Sequence, residues 1–270
     1  MRVLLTNDDG IDADGLQALR RALLEVDDVD LVVVAPDGDR SAIGRGITIR
    51  RPLWVEDRTF EDGTTGYATD GTPVDCVRLA TLGIVEGWTP ELIVSGINHG
   101  SNIGDDISYS GTVAAAIEGL LLGLPAVAAS QAAPDGYWHG EGGTMDFTDT
   151  AAFVARLVDR IDDVRLEQGT LLNVNAPKGE VAGVEVTRLG RRIYRDELSL
   201  LEQDGDRRRY RIYGPAPDNQ EADGTDVAAV AAGKIAVTPL HFDLTDGAGV
   251  ETLGGHDLAT LLAPAAREVE

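Results

Sequence analysis

The sequence has a single cysteine and no long apolar run. Because Cys76 is the only cysteine among 270 residues, no internal disulfide can form, and a zinc site built from several thiolates is excluded. Every apolar run is shorter than the roughly 20 residues that a membrane-spanning helix needs, and polar residues follow Leu5 at once, which leaves no room for a signal peptide. These absences predict a protein of a reducing cytoplasm with no membrane partner.

Positive charge is also scarce. Lys178 and Lys234 are the only lysines, and 23 basic residues against 46 acidic ones give a formal net charge of -23. Duplex nucleic acid is bound through clustered Lys and Arg, so this composition argues against such a partner. A lysine-poor acidic surface is typical of proteins that stay soluble in concentrated salt, where repulsion is screened to within about 3 Å at 1 M. We hypothesise a halophilic source; the alternative is an acidic protein from an ordinary cell.

The rest of the composition is that of a globular protein, with 43% hydrophobic residues and a length near the upper limit for one domain. In the N-terminal half, short apolar runs alternate with segments of helical periodicity. This alternation predicts a mostly parallel sheet with helices on both faces, which is a three-layer, doubly wound α/β fold. Residues 47–69 are predicted to add one or two antiparallel strands. Strands are predicted at residues 2–6, 31–35, 92–95, 126–130 and 170–174, and helices at 16–26, 74–82, 112–122 and 151–161.

The last third of the sequence has a different pattern of apolar and polar segments. Strand-like segments there are separated by polar connections rich in Gly and Asp. We therefore predict one domain over residues 1–270, with an α/β core to about residue 178 and a β-rich arm and extension from about 179 to 250. The strand-like segments are residues 181–189, 209–213 and 235–240.

Polar loops follow three predicted parallel strands, at the sheet edge where α/β proteins bind ligands. Asp8 and Asp9 follow the first strand, Ser41 lies after the second, and Asn98 follows the third. Because adjacent carboxylates repel each other, Asp8 and Asp9 favour a cation beside them. Together the four side chains offer only oxygen ligands, which suit Mg²⁺ or Mn²⁺ better than zinc. The alternative is that the two aspartates cap the following helix.

A fourth polar loop, residues 100–111, leads into a predicted helix. Ser110, Gly111 and Thr112 offer hydroxyls, a flexible glycine and a helix N-terminus, which together are common features of a phosphate-binding turn. The alternative is that Ser110 and Thr112 only cap the helix. The sequence contains neither a Gly-x-x-x-x-Gly-Lys-Ser/Thr loop nor a Gly-x-Gly-x-x-Gly fingerprint, which argues against nucleoside triphosphatases and dinucleotide-dependent dehydrogenases.

Taken together, these motifs resemble those of the SurE family, survival proteins that act as metal-dependent phosphatases of nucleoside monophosphates. The resemblance runs in order from Met1 to about Leu240. The matching segments are residues 6–10 (TNDDG), 35–37 (APD) with 40–41 (RS), 71–77 (GTPVDCV), 95–98 (SGIN) with 104–106 (GDD), 109–116 (YSGTVAAA) and 237–240 (VTPL).

The resemblance implies a Rossmann-like core, a C-terminal arm exchanged between subunits of a homodimer or tetramer, and one Mg²⁺ or Mn²⁺ ion per subunit. The expected reaction is hydrolysis of nucleoside 5'- or 3'-monophosphates, with Asp8 or Asp9 as general base or nucleophile. A sensor that binds nucleotide without turnover and an exopolyphosphatase are the alternative functions. By the resemblance, the metal ligands are Asp8, Asp9, Ser41 and Asn98, and the phosphate-binding residues are Asn102, Ser110, Gly111 and Thr112.

A few residues near these motifs depart from the family pattern or have no assigned role. Asp39 stands where the family usually has Asn, and its charge is expected to weaken phosphate binding. Ala42 stands where a Gly is usual, and His99 directly follows a predicted ligand. The arginine clusters at 191–192 and 207–209 are expected to attract substrate phosphate or to contact another subunit, and the alternative is a solvated edge strand.

Overall fold

The computed structural model of the chain describes residues 1–134, 144–164, 167–212, 218–220 and 222–262. These residues fall into two compact units, one formed by Met1–Leu240 and the other beginning at His241. In the described part of the chain, no helix combines the length and the apolar character required to cross a bilayer. The strands are β1 (Arg2–Thr6), β2 (Asp30–Pro36), β3 (Val55–Thr59), β4 (Thr65–Thr69), β5 (Leu92–His99), β6 (Ala126–Gln131), β7 (Thr170–Ala176), β8 (Gly183–Val186), β9 (Arg192–Ile193), β10 (Ser199–Asp204), β11 (Arg207–Arg211), β12 (Asp218–Asn219) and β13 (Lys234–His241).

A nine-stranded sheet forms the centre of the first unit, with the order β3-β4-β2-β1-β5-β6-β7-β13-β8. Strand β3 is antiparallel to β4, as predicted for residues 47–69. From β4 through β2, β1, β5 and β6 to β7, each strand pairs in parallel with the next. From β1 the chain first adds β2 on one side and later β5 on the other, so β1 and β5 form the topological switch point of the sheet. The predicted α/β fold is confirmed, and ligands are expected at the carboxyl ends of β1 and β5.

Helices cover both faces of this sheet. Side chains alternate along β1, so Val3 and Leu5 enter one apolar cluster and Leu4 enters the other. Helices α1 and α4 supply residues to the cluster of Val3, and helices α2 and α3 supply residues to the cluster of Leu4. The three-layer arrangement follows from this alternation. The helices are α1 (Asp14–Leu24), α2 (Pro73–Thr81), α3 (Gly111–Leu121), α4 (Thr148–Asp159), α5 (Asp226–Ala231) and α6 (Gly247–Gly254).

The C-terminal third is divided between the main sheet and smaller pieces. Strands β8 and β13 pair in parallel and extend the main sheet past β7, so the sheet continues beyond the expected core boundary near residue 178. Strands β10 and β11 form a separate antiparallel hairpin in which every residue is exposed. Strands β9 and β12 form a short antiparallel pair. In the second unit, helix α6 has no buried residue.

Candidate functional site

Three loops and one helix start meet where β1 and β5 end. The backbone oxygen of Asp8 accepts a hydrogen bond from the backbone N–H of Arg40 at 2.7 Å, which joins the loop after β1 to the loop after β2. Oδ2 of Asp9 accepts from the backbone N–H of His99 at 3.1 Å, next to the predicted ligand Asn98. Oδ2 of Asp8 accepts from the backbone N–H of Gly111 at 3.1 Å, at the start of α3. The structure therefore brings together the loops that carry all four predicted metal ligands.

Asp8 is packed directly against the first turn of α3. Only 3% of its surface is exposed, and its Oδ1 accepts a hydrogen bond from the Thr112 hydroxyl at 2.5 Å. Gly111 is required by this contact, because a Cβ atom at that position would lie 2.7 Å from Asp8 Oδ2. Ser110 caps α3, since its hydroxyl oxygen accepts from the backbone N–H of Val113 at 3.0 Å. The predicted turn thus caps the helix through Ser110 and holds a carboxylate through Gly111 and Thr112.

The alternative in which Asp8 and Asp9 cap the following helix is wrong. Helix α1 begins at Asp14, its N-cap is Ala13, and no side chain caps it. Asp8 and Asp9 lie inside a tight turn that Asn7 closes. The Asn7 side chain donates to the backbone oxygen of Gly10 and accepts from the backbone N–H of Gly10. The turn leaves the two carboxylates at the sheet edge.

Burial makes both carboxylates hard to ionise. It is the main cause that raises the pKa of Asp8 to about 7, and the neighbouring charge of Asp9 raises it further. Burial is also the main cause that raises the pKa of Asp9 to about 6. The hydrogen bond from the His99 N–H lowers this pKa, and the charge of Asp39 raises it. Among the ion pairs of the described residues, none joins either carboxylate to an arginine or lysine. A bound cation would supply the missing positive charge.

The remaining donors suit a hard divalent ion. The Ser41 hydroxyl donates its proton to Oδ1 of Asp39 at 2.5 Å, so its oxygen lone pairs stay available. The Asn98 side chain donates through Nδ2 to the backbone oxygen of Gly100 at 2.7 Å, which leaves Oδ1 as a ligand atom. Within the described residues, no group of three or more His, Cys, Asp or Glu side chains could hold a metal. The residues present therefore fit Mg²⁺ or Mn²⁺ bound by two carboxylates, a hydroxyl and an amide.

Asn102, the remaining predicted phosphate ligand, lies in the loop between β5 and α3 and is 8% exposed. Its Nδ2 donates to the hydroxyl of Ser130 at 2.8 Å. Among the other predicted phosphate-binding groups, the Gly111 N–H and the Thr112 hydroxyl both donate to Asp8. The phosphate-binding roles of these four residues stay a prediction.

The two departures from the family pattern lie in one turn. Oδ1 of Asp39 accepts from both the backbone N–H and the hydroxyl of Ser41, at 2.7 and 2.5 Å. Ala42 has φ = 57°, a left-handed conformation that favours glycine, which explains why the family usually has Gly at this position. The charge of Asp39 therefore lies against the predicted ligand Ser41 and raises the pKa of the predicted ligand Asp9.

His99 has a packing role at this edge. Its Nε2 accepts a hydrogen bond from the backbone N–H of Gly15 at 3.3 Å, and its ring stacks on Phe147 with centroids 4.9 Å apart. Burial lowers the pKa of His99, which favours the neutral ring that this bond requires. Gly15 is needed at the contact, because a Cβ there would lie 2.1 Å from the backbone oxygen of Ile97. His99 thus fixes the start of α1 to the end of β5.

Sequence reasoning missed a buried ion-pair network beside the site. Glu118 of α3 is 1% exposed and lies 2.9 Å from Arg45 and 2.6 Å from Arg78, which joins the loop after β2 to α2 and α3. The sequence did hold one signal of this network, because Glu118 is the one charged residue of the Ala-rich helix α3. In the predicted arginine clusters, Arg192 pairs with Asp106 at 3.1 Å, and residues 207–209 lie exposed on β11.

Replacing Asp9 by Asn tests the electrostatic description. A carboxyl whose pKa is raised from 3.8 to about 6 by folding destabilises the folded state once it ionises. This cost is absent below about pH 4, grows between pH 4 and 6, and is complete above. In EDTA, the wild type should therefore lose stability between pH 5 and 8, and Asp9→Asn should lose about 1.4 kcal/mol less, since about one pH unit of the window lies above pH 5. Urea denaturation at both values measures this difference.

Asp57→Asn is the control for that experiment, because it removes one exposed carboxylate from β3. It should follow the wild type at both pH values. Equal losses of stability in Asp9→Asn and the wild type would contradict the description of a strained, uncompensated pair.

Comparisons with known proteins identify the family of the chain. Residues 3–196 match the family model described as "Survival protein SurE". A protein named 5'-nucleotidase SurE from Rubrobacter xylanophilus is 50% identical over 268 residues, which cover 97% of this chain and 99% of the relative. Another of the same name from Pelotomaculum thermopropionicum is 44% identical, with 91% of each chain covered.

A solved structure is also similar. The crystal structure of the SurE protein from Aquifex aeolicus aligns with a TM-score of 0.78 and 34% identity, and the alignment covers 97% of this chain and all of that one. The expected resemblance is confirmed along nearly the whole sequence: the chain belongs to the SurE family.

Proposed function

We infer that this protein is a 5'-nucleotidase, a phosphomonoesterase that hydrolyses nucleoside 5'-monophosphates to nucleoside and phosphate. Nucleoside 3'-monophosphates are proposed as further substrates. The observation that carries the inference is the adjacent pair of buried Asp8 and partly buried Asp9. Asp8 lies against the start of α3, and no described arginine or lysine forms an ion pair with either carboxylate. The relatives named 5'-nucleotidase SurE, at up to 50% identity over nearly the whole chain, support the same reaction.

Asp8, Asp9, Ser41 and Asn98 would hold one Mg²⁺ or Mn²⁺ ion per subunit. When bound, such an ion offsets the charge on a phosphoryl oxygen and makes a water molecule more acidic. The two aspartates have different hydrogen bonds. Both carboxylate oxygens of Asp8 accept protein hydrogen bonds, from Thr112 and Gly111, which fits a purely ligating and orienting role.

Asp9 is the better candidate for the general base or nucleophile. Its Oδ2 is held by the N–H of His99, and the bond fixes the carboxylate without occupying Oδ1. A raised pKa, of about 6, brings a carboxylate close to the value at which it takes up a proton effectively near neutral pH. Asp9 would therefore accept the proton of the attacking water, or attack phosphorus itself, while Asp8 stays fixed.

Neutral hydrogen-bond donors would bind the phosphoryl group. The first turn of α3, Ser110 to Thr112, would contribute the positive end of a helix dipole and the hydroxyl proton of Ser110, since the Gly111 N–H and the Thr112 hydroxyl already donate to Asp8. The amide of Asn102 would add a side-chain donor to another oxygen of the phosphate. These donors stabilise the charge that develops on phosphoryl oxygens in the transition state.

The proposed reaction is tested by measuring phosphate release from a panel of nucleoside monophosphates with Mn²⁺ or Mg²⁺ and with EDTA. We expect turnover that EDTA abolishes. Asp9→Asn should keep the fold but lose activity by about 100-fold or more, and calorimetry should show weaker Mn²⁺ binding.

Asp57→Asn, with the same change in net charge, should retain both properties. Nucleotide binding without phosphate release would identify a sensor instead, and preference for long polyphosphate chains would identify an exopolyphosphatase. Normal turnover by Asp9→Asn would contradict the assigned site.

We also propose that the chain forms a homodimer or a tetramer in which the β10–β11 hairpin contacts another subunit. The hairpin buries none of its residues in the single chain. Leu200 and Tyr210, which face each other across its two strands, are 51% and 45% exposed. Exposed apolar side chains on a two-stranded hairpin are stabilised when another surface covers them.

Light scattering after size exclusion tests this assembly. The wild type should run at twice the 28.6 kDa chain mass or at a larger multiple. Leu200→Glu should move it toward the monomer, because it places a charge in the contact. Glu56→Gln on exposed β3 is the control and should not change the mass. A monomeric wild type would contradict the proposal.

The proposed setting is a salt-rich cytoplasm. The support is the net charge of -23 with only two lysines, together with a single cysteine that is buried and unpaired. The names of the relatives give the salt hypothesis no support, so it depends on composition. We expect thermal stability to rise when KCl is added from 0.1 M to about 2 M, because added salt screens the acidic surface. A steady fall in melting temperature would contradict this setting.

A further inference from the structure

Two buried asparagines hold the backbone of Asn102. Asn173 and Asn175 lie two residues apart on β7, so their side chains extend from the same face of the strand. Nδ2 of Asn173 and Nδ2 of Asn175 both donate to the backbone oxygen of Asn102, at 2.9 and 3.0 Å. Oδ1 of Asn175 accepts from the backbone N–H of Asn102 at 2.8 Å. Both polar groups of that residue's backbone are therefore fixed by side chains from another strand.

A third group fixes the side chain of Asn102. Its Nδ2 donates to the hydroxyl of Ser130 at 2.8 Å. Ser130 lies on β6 in register with Asn175 and, like both asparagines of β7, has no exposed surface. The hydrogen bond sets the orientation of the Asn102 amide, so its second N–H and its oxygen point away from Ser130.

This network is costly for the core. Every residue of β7 is buried, and buried primary amides destabilise a fold unless each of their polar atoms is bonded. Oδ1 of Asn173 has no hydrogen-bond partner among the described residues. An apolar side chain at position 173 would avoid that loss, so the sheet alone does not explain why an asparagine stands there.

We propose that Asn175 and Asn173 are positioning residues for phosphate binding: they fix the peptide of Asn102 so that its amide meets the phosphoryl group in one orientation. The proposal rests on the proposed function, in which Asn102 binds phosphate. A neutral amide binds an anion only at hydrogen-bond distance, and a misplacement of 1 Å can cost about 100-fold in rate. A loop residue that supplies such a donor gains from being held at its N–H, its carbonyl and its side chain at once.

Asn173→Val separates positioning from packing. The substitution removes one bond to Asn102 and also removes the unsatisfied buried acceptor, so the melting temperature should stay the same or rise. Phosphate binding should nevertheless weaken several-fold, measured by calorimetry with inorganic phosphate in the presence of Mn²⁺. A merely structural role predicts that the two properties change together.

Asn175→Ala should have the larger effect, because it removes both of the bonds to Asn102 that Asn175 makes. We expect phosphate affinity to fall by about tenfold or more, while Mn²⁺ affinity measured alone stays within twofold of the wild type. Gln131→Leu is the matched control. It removes two side-chain bonds at the end of the neighbouring strand, a partly buried one to Asp146 and a buried one from Thr150, and should leave phosphate affinity unchanged.

The outcome with Asn102→Ala distinguishes a wrong phosphate ligand from a wrong positioning role. If Asn102→Ala binds phosphate like the wild type, the assigned phosphate ligand is wrong, and the positioning proposal is overturned with it. If Asn102→Ala weakens binding while folded Asn173→Val and Asn175→Ala do not, the positioning proposal alone is overturned. A parallel loss of Mn²⁺ affinity in Asn173→Val would also overturn it, because the site as a whole would then have been disturbed.

Discussion

The two adjacent carboxylates at the end of β1 set the constraint on which the rest of the site depends. Asp8 and Asp9 are held at the sheet edge by a turn that Asn7 closes, and burial opposes their ionisation. The surrounding chain offers them N–H and O–H donors from two segments: Gly111 and Thr112 at the start of α3, and His99 at the end of β5. Neutral donors reduce the cost of two buried charges but do not remove it. A cation bound beside them, as proposed, would remove the remaining cost.

Much of the fold could be predicted because apolar periodicity reflects burial on a sheet. The helix predicted at 112–122 lies at Gly111–Leu121, and the one predicted from residue 151 begins three residues earlier, at Thr148. Apolar periodicity did not indicate the earlier start of this helix, because its first residues, Thr148 and Asp149, are polar and exposed. The positions of β8 and β13 in the main sheet were not predicted either. Pairing between Gly183–Val186 and the distant strand at residues 234–237 has no local sequence signal.

The site could be predicted in outline but not in its contacts. Three polar loops follow three parallel strands, and that order alone indicates a common edge. The bond from Thr112 to Asp8 joins residues 104 positions apart, and no spacing rule indicates it. The asparagines of β7 were visible in the sequence as polar residues in an apolar strand. Their partner is a backbone, which carries no side-chain signal, so only the structure identifies Asn102 as the group they hold.

The acidic character of the protein explains why neutral groups carry so much of the proposed site. A chain of net charge -23 repels a phosphate ester at long range. The arginines nearest to the predicted ligands do not offset this, since Arg40 pairs with Asp37 and Arg45 with the buried Glu118. Attraction then depends on a bound cation and on donors that act only at contact distance. Such donors are effective only when they are fixed in place, and the three bonds that hold the backbone of Asn102 provide that fixation.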